Sequence, residues 1–538
     1  PHNPVEGSLL SGVWGFLLFF FFSPPPPPGP RADEEVVMPA HSDKRQGVLQ
    51  WVIVLVVGVI VVALVLTLGL IPRLSNGQKV LDGAQPAFSP ARVAGDRAGI
   101  DILSHIVDLS APIVTPQGGG AGDVPALLDY VARTQHISPA RALATLKRMF
   151  PHTTALLQAI PLTAVTQELP RLVAFLSREL KLTPAQLEGA LKASFPALAQ
   201  SVANLPVVTA GWLSIPGVDG LTRFDGAPVR SVPELRTYFS ADVIPVLERQ
   251  GADFDSLDGT SAIDWIAPLL LIVGAVVILF AAAMILRNRR GVSRREAVAS
   301  AAVVPVVGVV VVALVLVLAL IPRVSDGQKL LDSLRPVYQQ QRVSGDRIGI
   351  NMVSSIVDTL DPIMTSAGGG AAEVPKLIAF VSQKTRLSPS AVLSALRTHF
   401  PHTVALLQAS PLTAVDAELP GLVGFLGPQV VSVIPHLLPT VLSAQAVTTG
   451  WESVPGLDGM TRFDGTPVRT VPQLRTYFNS DLIPVLETQR GNFDSVVSTS
   501  KINFLGWLVL IIGVIVIVYG LLMVLLAQGR LPRGARRA

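Results

Sequence analysis

The phrase FPHT occurs twice, at Phe150–Thr153 and at Phe400–Thr403, and sets His152 and His402 in matching surroundings. An imidazole paired with a carboxylate is the usual general base of a hydrolase, so this is the first place to look for chemistry. His399, three residues before His402, has the spacing of two metal ligands on one helical face. Pro401 interrupts that run, however, and the equivalent position in the first copy is Met149. A second doubled phrase, GDR, holds Asp96-Arg97 and Asp346-Arg347, which is either a local ion pair or a clamp for a charged ligand. A third surrounds a doubled Asp-Gly: Arg223, Asp225 and Arg230, then Arg462, Asp464 and Arg469. Arginine forks suit an anionic headgroup or the acidic side chains of a partner. Trp212 and Trp451, each after a glycine and ahead of a Pro-Gly turn, are core plugs or rings dipping into a membrane interface.

Each of these has a plainer account, and the plainer account is preferred. A single histidine per copy caps or packs a helix more often than it acts as a base. The aspartates of Asp-Gly serve the turn, and the arginines are expected to be solvated or paired with acids such as Asp219 and Asp242. The chain has no cysteine, which excludes disulfides, thiolate catalysis and Cys-ligated metal. It also lacks GxxxxGK[ST], HExxH, GxSxG and a strand-borne GxGxxG. The expectation is a chain with no catalytic, cofactor-binding or metal-binding residues. Trp212, Arg223, Arg230, Trp451, Arg462 and Arg469 remain as candidate contacts to a partner or headgroup.

Hydropathy sets what must position these residues. Half of the 538 residues are hydrophobic, only 15% are charged, and the mean hydropathy is +0.52, which points to membrane spans before soluble domains. Four stretches reach spanning length, at residues 51–71, 265–286, 298–321 and 504–527. None contains Asp, Glu, Lys, Arg or His, so they fit anchors better than an ion or proton path. Lys44 and Arg45, the arginines of 287–297, and those of 528–538 flank the same ends of the spans. The positive-inside rule then places residues 38–50, 287–297 and 528–538 in the cytoplasm and residues 72–264 and 322–503 outside. Trp265 and Trp507 fall near the outer ends of two spans, as interfacial aromatics do. Residues 1–37, with GFLLFFFF followed by polyproline, are expected to be a disordered or non-native extension ahead of Met38. Arg exceeds Lys by more than three to one, a hint of a high-GC bacterial source.

The chain is an internal duplication. VVGVIVVALVLTLGLIPR returns as VVGVVVVALVLVLALIPR, and the register holds through GDRAGI/GDRIGI and FPHT. The offset is 250 residues, from Gly95 to Gly345. Past Leu176 and Leu426 the copies diverge, and they rejoin at Gly211-Trp212 and Gly450-Trp451 with an offset of 239. Each unit is span, outside segment, span, which predicts a parallel repeat about a pseudo-two-fold axis along the membrane normal. The outside segments are predicted to be mainly helical. Val124, Leu127, Leu128 and Val131 share one helical face. Ser138-Pro139, Ser388-Pro389 and Thr183-Pro-Ala-Gln186 mark helix starts. PGVDGLTRFDGAPVRSVPELRTYF and its twin predict a short β-hairpin about Asp-Gly, with Pro228 and Pro467 limiting the return strand. Capping boxes at Ser231/Glu234 and Thr470/Gln473 follow. The exchange of Glu for Gln there speaks for architecture over a catalytic carboxylate.

Two further expectations concern packing. Ala267, Gly274 and Ala281, aligned with Gly506, Gly513 and Gly520, form a small-residue seam along spans two and four. The uncharged, proline-broken stretch from Pro428 to Val447 is expected to be core or to line an apolar cavity. The fold class is thus a polytopic α-helical membrane protein with four spans and two duplicated, mainly helical extracytoplasmic domains. The functional expectation is a non-enzymatic envelope protein of a bacterial plasma membrane. It would be a scaffold or accessory subunit of a larger assembly, with membrane lipid and protein partners and no nucleic acid. The alternatives are a component of a lipid or apolar-molecule transport system and, third, an envelope hydrolase. An apolar cavity in the ectodomains would separate the first two.

Overall fold

The computed structural model describes residues 42–67, 69–84, 87–249, 266–290, 294–317, 334–497 and 504–528, with isolated positions between 321 and 332. The expected extension at 1–37, Trp265 and nearly all of the basic tail at 528–538 lie outside the described residues.

Helices account for nearly all regular structure. In the first half they are α1 (Ser42–Thr67), α2 (Leu70–Ala84), α3 (Pro90–Val114), α4 (Gly120–Thr134), α5 (Pro139–Met149), α6 (Pro151–Ala159), α7 (Leu162–Leu180), α8 (Pro184–Ser194), α9 (Pro196–Gly211), α10 (Val232–Tyr238) and α11 (Ile266–Arg290). The second half runs α12 (Arg294–Val317), α13 (Gln340–Met364), α14 (Gly370–Thr385), α15 (Pro389–His399), α16 (Pro401–Ala409), α17 (Leu412–Leu426), α18 (Leu438–Glu452), α19 (Val471–Tyr477), α20 (Ile483–Val497) and α21 (Phe504–Gln528). Prolines open α3, α5, α6, α8, α9, α15 and α16 at the first turn, where a missing N–H costs nothing. The capping boxes at Thr183/Gln186, Ser231/Glu234 and Thr470/Gln473 all form.

Among the described residues three helices are long and apolar enough to cross a membrane, at Val48–Thr67, Ala267–Arg289 and Trp507–Leu525. Only 17–22% of each apolar window is buried, so the remaining surface needs an apolar surrounding. In α12 the apolar stretch Val298–Ala313 is shorter than a span, and residues 318–320 lie outside the described ones. α1 pairs with α11 and α12 with α21. Glycines permit each approach. A Cβ at Gly274 would stand 2.8 Å from Val62, and one at Gly513 would stand 2.8 Å from Val312. Gly520 abuts Pro305, and Ala267 and Ala281 are fully buried. The surroundings of Gly506 lie outside the described residues.

The expected β-hairpins are single bridges, Thr222↔Pro228 and Thr461↔Pro467, and no strand occurs among the described residues. The proline on the return arm offers no N–H, so the ladder stops after one rung. The turn itself is as expected: Arg223 N donates to Ala227 O, and Asp225 Oδ1 accepts from Ala227 N at 2.9 Å.

Between the apolar helices the two halves of the chain share a core. One hydrophobic core takes Leu127, Val165, Trp212 and Leu235 from the first and Val357, Val415, Trp451 and Leu474 from the second. α9 lies along α13, and α18 along α3.

Candidate functional site

The two FPHT phrases begin α6 and α16, which pack against each other. A helix N-terminus presents bare N–H groups and a partial positive charge, so it favours a carboxylate. Each helix takes its carboxylate from the opposite half. Glu418 of α17 accepts from His152 N (3.1 Å), Thr153 N (2.8 Å) and the Thr153 hydroxyl (2.8 Å). Glu168 of α7 accepts in the same way from His402 N (3.2 Å), Thr403 N (2.8 Å) and the Thr403 hydroxyl (2.8 Å). Asp123 likewise receives His436 N and Leu437 N at the start of α18, and Glu373 receives Ala197 N and Leu198 N at the start of α9. The conserved letters of FPHT are therefore the letters of a capped helix start. The ring Nδ1 atoms of His152 and His402 are buried without a hydrogen-bond partner, so no carboxylate orients either ring through that atom as a base requires. His399 lies against the Phe175 ring, 5.8 Å between centroids.

The GDR phrases separate into two roles. Arg97 turns outward to Glu248 and Arg347 to Glu487. Asp96 and Asp346 turn inward and are almost wholly buried, so the local ion pair within GDR does not form. The glycines ahead of them let the other half approach: a Cβ at Gly95 would meet Met460 at 2.5 Å, and one at Gly345 would meet Leu221 at 2.8 Å. Four residues upstream of each aspartate, an arginine clasps the opposite turn. Arg92 donates to Thr461 O and Arg462 O and lies 4.8 Å from the Phe463 ring. Arg342 does the same to Thr222 O, Arg223 O and Phe224. Such an arginine is held by both its fork and its flat face.

The remaining candidates fall into three pairs. Arg223 and Arg462 grip Asp242 and Asp481, 3.0 and 2.8 Å away, and the bridge raises each guanidinium further above its usual range. Trp212 and Trp451 are buried in the shared core, and Trp451 Nε1 donates to Asp361 at 2.8 Å. Arg230 and Arg469 are exposed.

A cavity of about 120 Å³ lies between the halves, lined in part by the stretch for which the sequence left core and cavity wall as alternatives. Leu156 and Leu406, Leu162 and Leu412, and Val165 and Val415 face it as equivalent pairs. The stretch from Pro428 to Val447 supplies Ile434, Leu437, Thr440, Val441 and Ala444 to its wall. Its hydroxyls are turned away into the protein. Thr153 and Thr403 donate to the capping glutamates, Ser201 to Thr359 O, Thr359 to Ser355 O, and Thr440 to Leu109 O. A guest would meet hydrocarbon alone. Val202, 38% exposed, and the half-buried Val441 lie at its edge. Equivalent leucines and valines were legible as core positions, but nothing in either copy alone says that their faces stop short of touching.

Comparison with protein-family models, characterised proteins and solved structures finds no match. The functional reading therefore rests on the cavity. Among the described residues no three His, Asp or Glu side chains gather as metal ligands do.

Proposed function

We propose that this chain is a non-enzymatic, membrane-anchored binding protein whose two halves together hold the apolar chain of a lipid-like molecule. The observation that carries the reading is the cavity of about 120 Å³, lined by both halves, in which every polar wall atom named above already has a protein partner. An engineered protein cavity of roughly 150 Å³ with such walls stays dry and takes a benzene-sized guest. This one is of that order, so it suits a segment of an acyl or isoprenoid chain rather than a whole lipid. Each methylene moved from water into it contributes about 0.8 kcal/mol. Of the two leading expectations, a scaffold and a component that handles apolar molecules, the cavity favours the second.

In this reading α12 continues to a fourth span over residues 298–321, the basic segments lie in the cytoplasm, and both duplicated segments lie outside a bacterial plasma membrane. The units are parallel and related by a pseudo-two-fold axis along the membrane normal, and the protein works within a larger envelope assembly. The exposed Arg230 and Arg469 are its contacts to anionic headgroups or partner acids.

The test is binding of a fluorescent acyl probe to the full chain in mild detergent, with native mass spectrometry of co-purifying lipid. Val202→Trp and Val441→Trp fill the edge of the cavity and are expected to weaken binding at least tenfold, about 1.4 kcal/mol. Unchanged probe binding in both variants would reject the site.

A further inference from the structure

A second, smaller cavity of about 60 Å³ lies between the halves and is lined by both Asp96 and Asp346. Its other walls are apolar, among them Phe88, Ile100, Leu334, Ile350 and Leu486. On α3, Asp96 is thirteen residues from Leu109 of the larger cavity, roughly 20 Å along the helix. The two cavities are thus separate.

Among the described residues these are the carboxyls that are buried with oxygens lacking a hydrogen-bond partner. Asp96 is 1% exposed and Asp346 3%, and both oxygens of Asp96 and Oδ1 of Asp346 have no hydrogen-bond partner. Every other buried acid described above is spent on a helix start or an arginine. A carboxylate buried without such partners is costly, and it is relieved either by a counter-charge or by a proton. The counter-charges nearby are committed. Arg92 and Arg342, on the same helices as the aspartates, hold the carbonyls and rings of the opposite turns. From α19 and α10 the buried hydroxyls of Tyr477 and Tyr238 each approach the aspartate of the other half, near enough to favour its charged form but without a well-formed hydrogen bond to it. Behind them, Asp481 and Asp242 are bridged to Arg462 and Arg223. Tyr338 closes another wall, and Glu248 and Glu487 are drawn outward by Arg97 and Arg347.

We propose that Asp96 and Asp346 form a paired proton site that holds the two halves together when both carboxyls are protonated and loosens that contact when they ionise. The geometry places one carboxyl of each half in the same dry cavity, with only neutral tyrosine hydroxyls unspent around it. In agreement, burial first of all pushes Asp96 up to about 8 and Asp346 up to about 7 from 3.8. Ionisation draws water into the cavity, because a charge in hydrocarbon has no other source of solvation. α3 and α13, which carry the aspartates, then move apart at this level.

The cysteine-free chain allows a direct test. Spin labels on Ala94→Cys and Ser344→Cys, equivalent exposed positions beside the two aspartates, report the separation of α3 and α13 in the full chain in nanodiscs. The inter-label distance is expected to lengthen by more than about 2 Å between pH 5 and pH 9. It should stay at its low-pH value throughout in Asp96→Asn/Asp346→Asn, whose amides cannot ionise. A distance independent of pH in the otherwise native chain overturns the proposal, whatever the double variant does. An equal change in the double variant overturns it too, because another group would then carry the proton.

Discussion

Glu168 in the first half caps the helix that begins at Pro401 in the second. Its Oε2 lies 2.8 Å from both the Thr403 amide and the Thr403 hydroxyl. Glu418 repays the contact at Thr153. Neither helix start is complete without the opposite half, so these caps tie local helix stability to assembly of the shared core.

Glu168→Ala is therefore expected to lower the stability of the full chain by about 2 kcal/mol, since it leaves buried amides unpaired. Glu168→Gln should lose less, because its amide oxygen still accepts. Denaturant titration of the chain in detergent reads the difference. Equal losses for Ala and Gln would mean that the hydrogen bonds are not what the glutamate supplies.

The turn aspartates give the opposite expectation. Asp225 Oδ1 accepts from Ala227 N, and Asp464 Oδ1 from Thr466 N. Asparagine offers the same oxygen and suits the turn before glycine, so Asp225→Asn should change stability by less than about 0.5 kcal/mol. Asp225→Ala should cost about 1 kcal/mol, loss of one hydrogen bond. Probe binding by the Asn variant should match that of the native chain.

In the helix pair of α12 and α21, Gly513 is packed against Val312 and Val514 is 46% exposed. Gly513→Leu should force the helices apart and lower the thermal midpoint in detergent, whereas Val514→Leu one position round should leave it unchanged. Small residues are what permit such approach between helices in lipid. A neutral Gly513→Leu would contradict the packing.

Stability should also fall with rising pH. Asp96 and Asp346 have folded-state values of about 8 and about 7 against 3.8 unfolded, so the native state binds more protons between those limits. Their stabilising contribution is complete below about pH 4 and is lost as pH rises through about 7 and 8, on the order of 1 kcal/mol per pH unit for each carboxyl. Denaturant midpoints of Asp96→Asn/Asp346→Asn should be flatter over this window and higher than native at pH 9.

Sidedness can be settled by labelling. Cysteines at the exposed positions Lys192 and Ser390 should react with an impermeant thiol reagent in intact cells, and one at Arg289 should not. Reaction at 289 alone would invert the proposed topology.

The sequence by itself determined the local features of this protein. Apolar length marked the membrane helices, and proline after serine or threonine marked helix starts, because both signals act within a few residues. Asp-Gly marked the two turns for the same reason. Duplication identified which letters mattered without saying why. The tertiary structure decided the rest. A helix-start role for His152 is the preferred reading of the sequence, but only the structure shows that Glu418, 266 residues away, uses its amide and not its ring. Gly95, Asp96 and Arg92 are one short phrase on one helix, yet Met460, Tyr477 and Thr461 of the other half give each of them its meaning. The stretch from Pro428 to Val447 hinted at a cavity, but the existence and size of both cavities depend on how the faces of the two halves meet. Periodicity tells which face is apolar, but only the packing of one half on the other fixes how closely those faces meet.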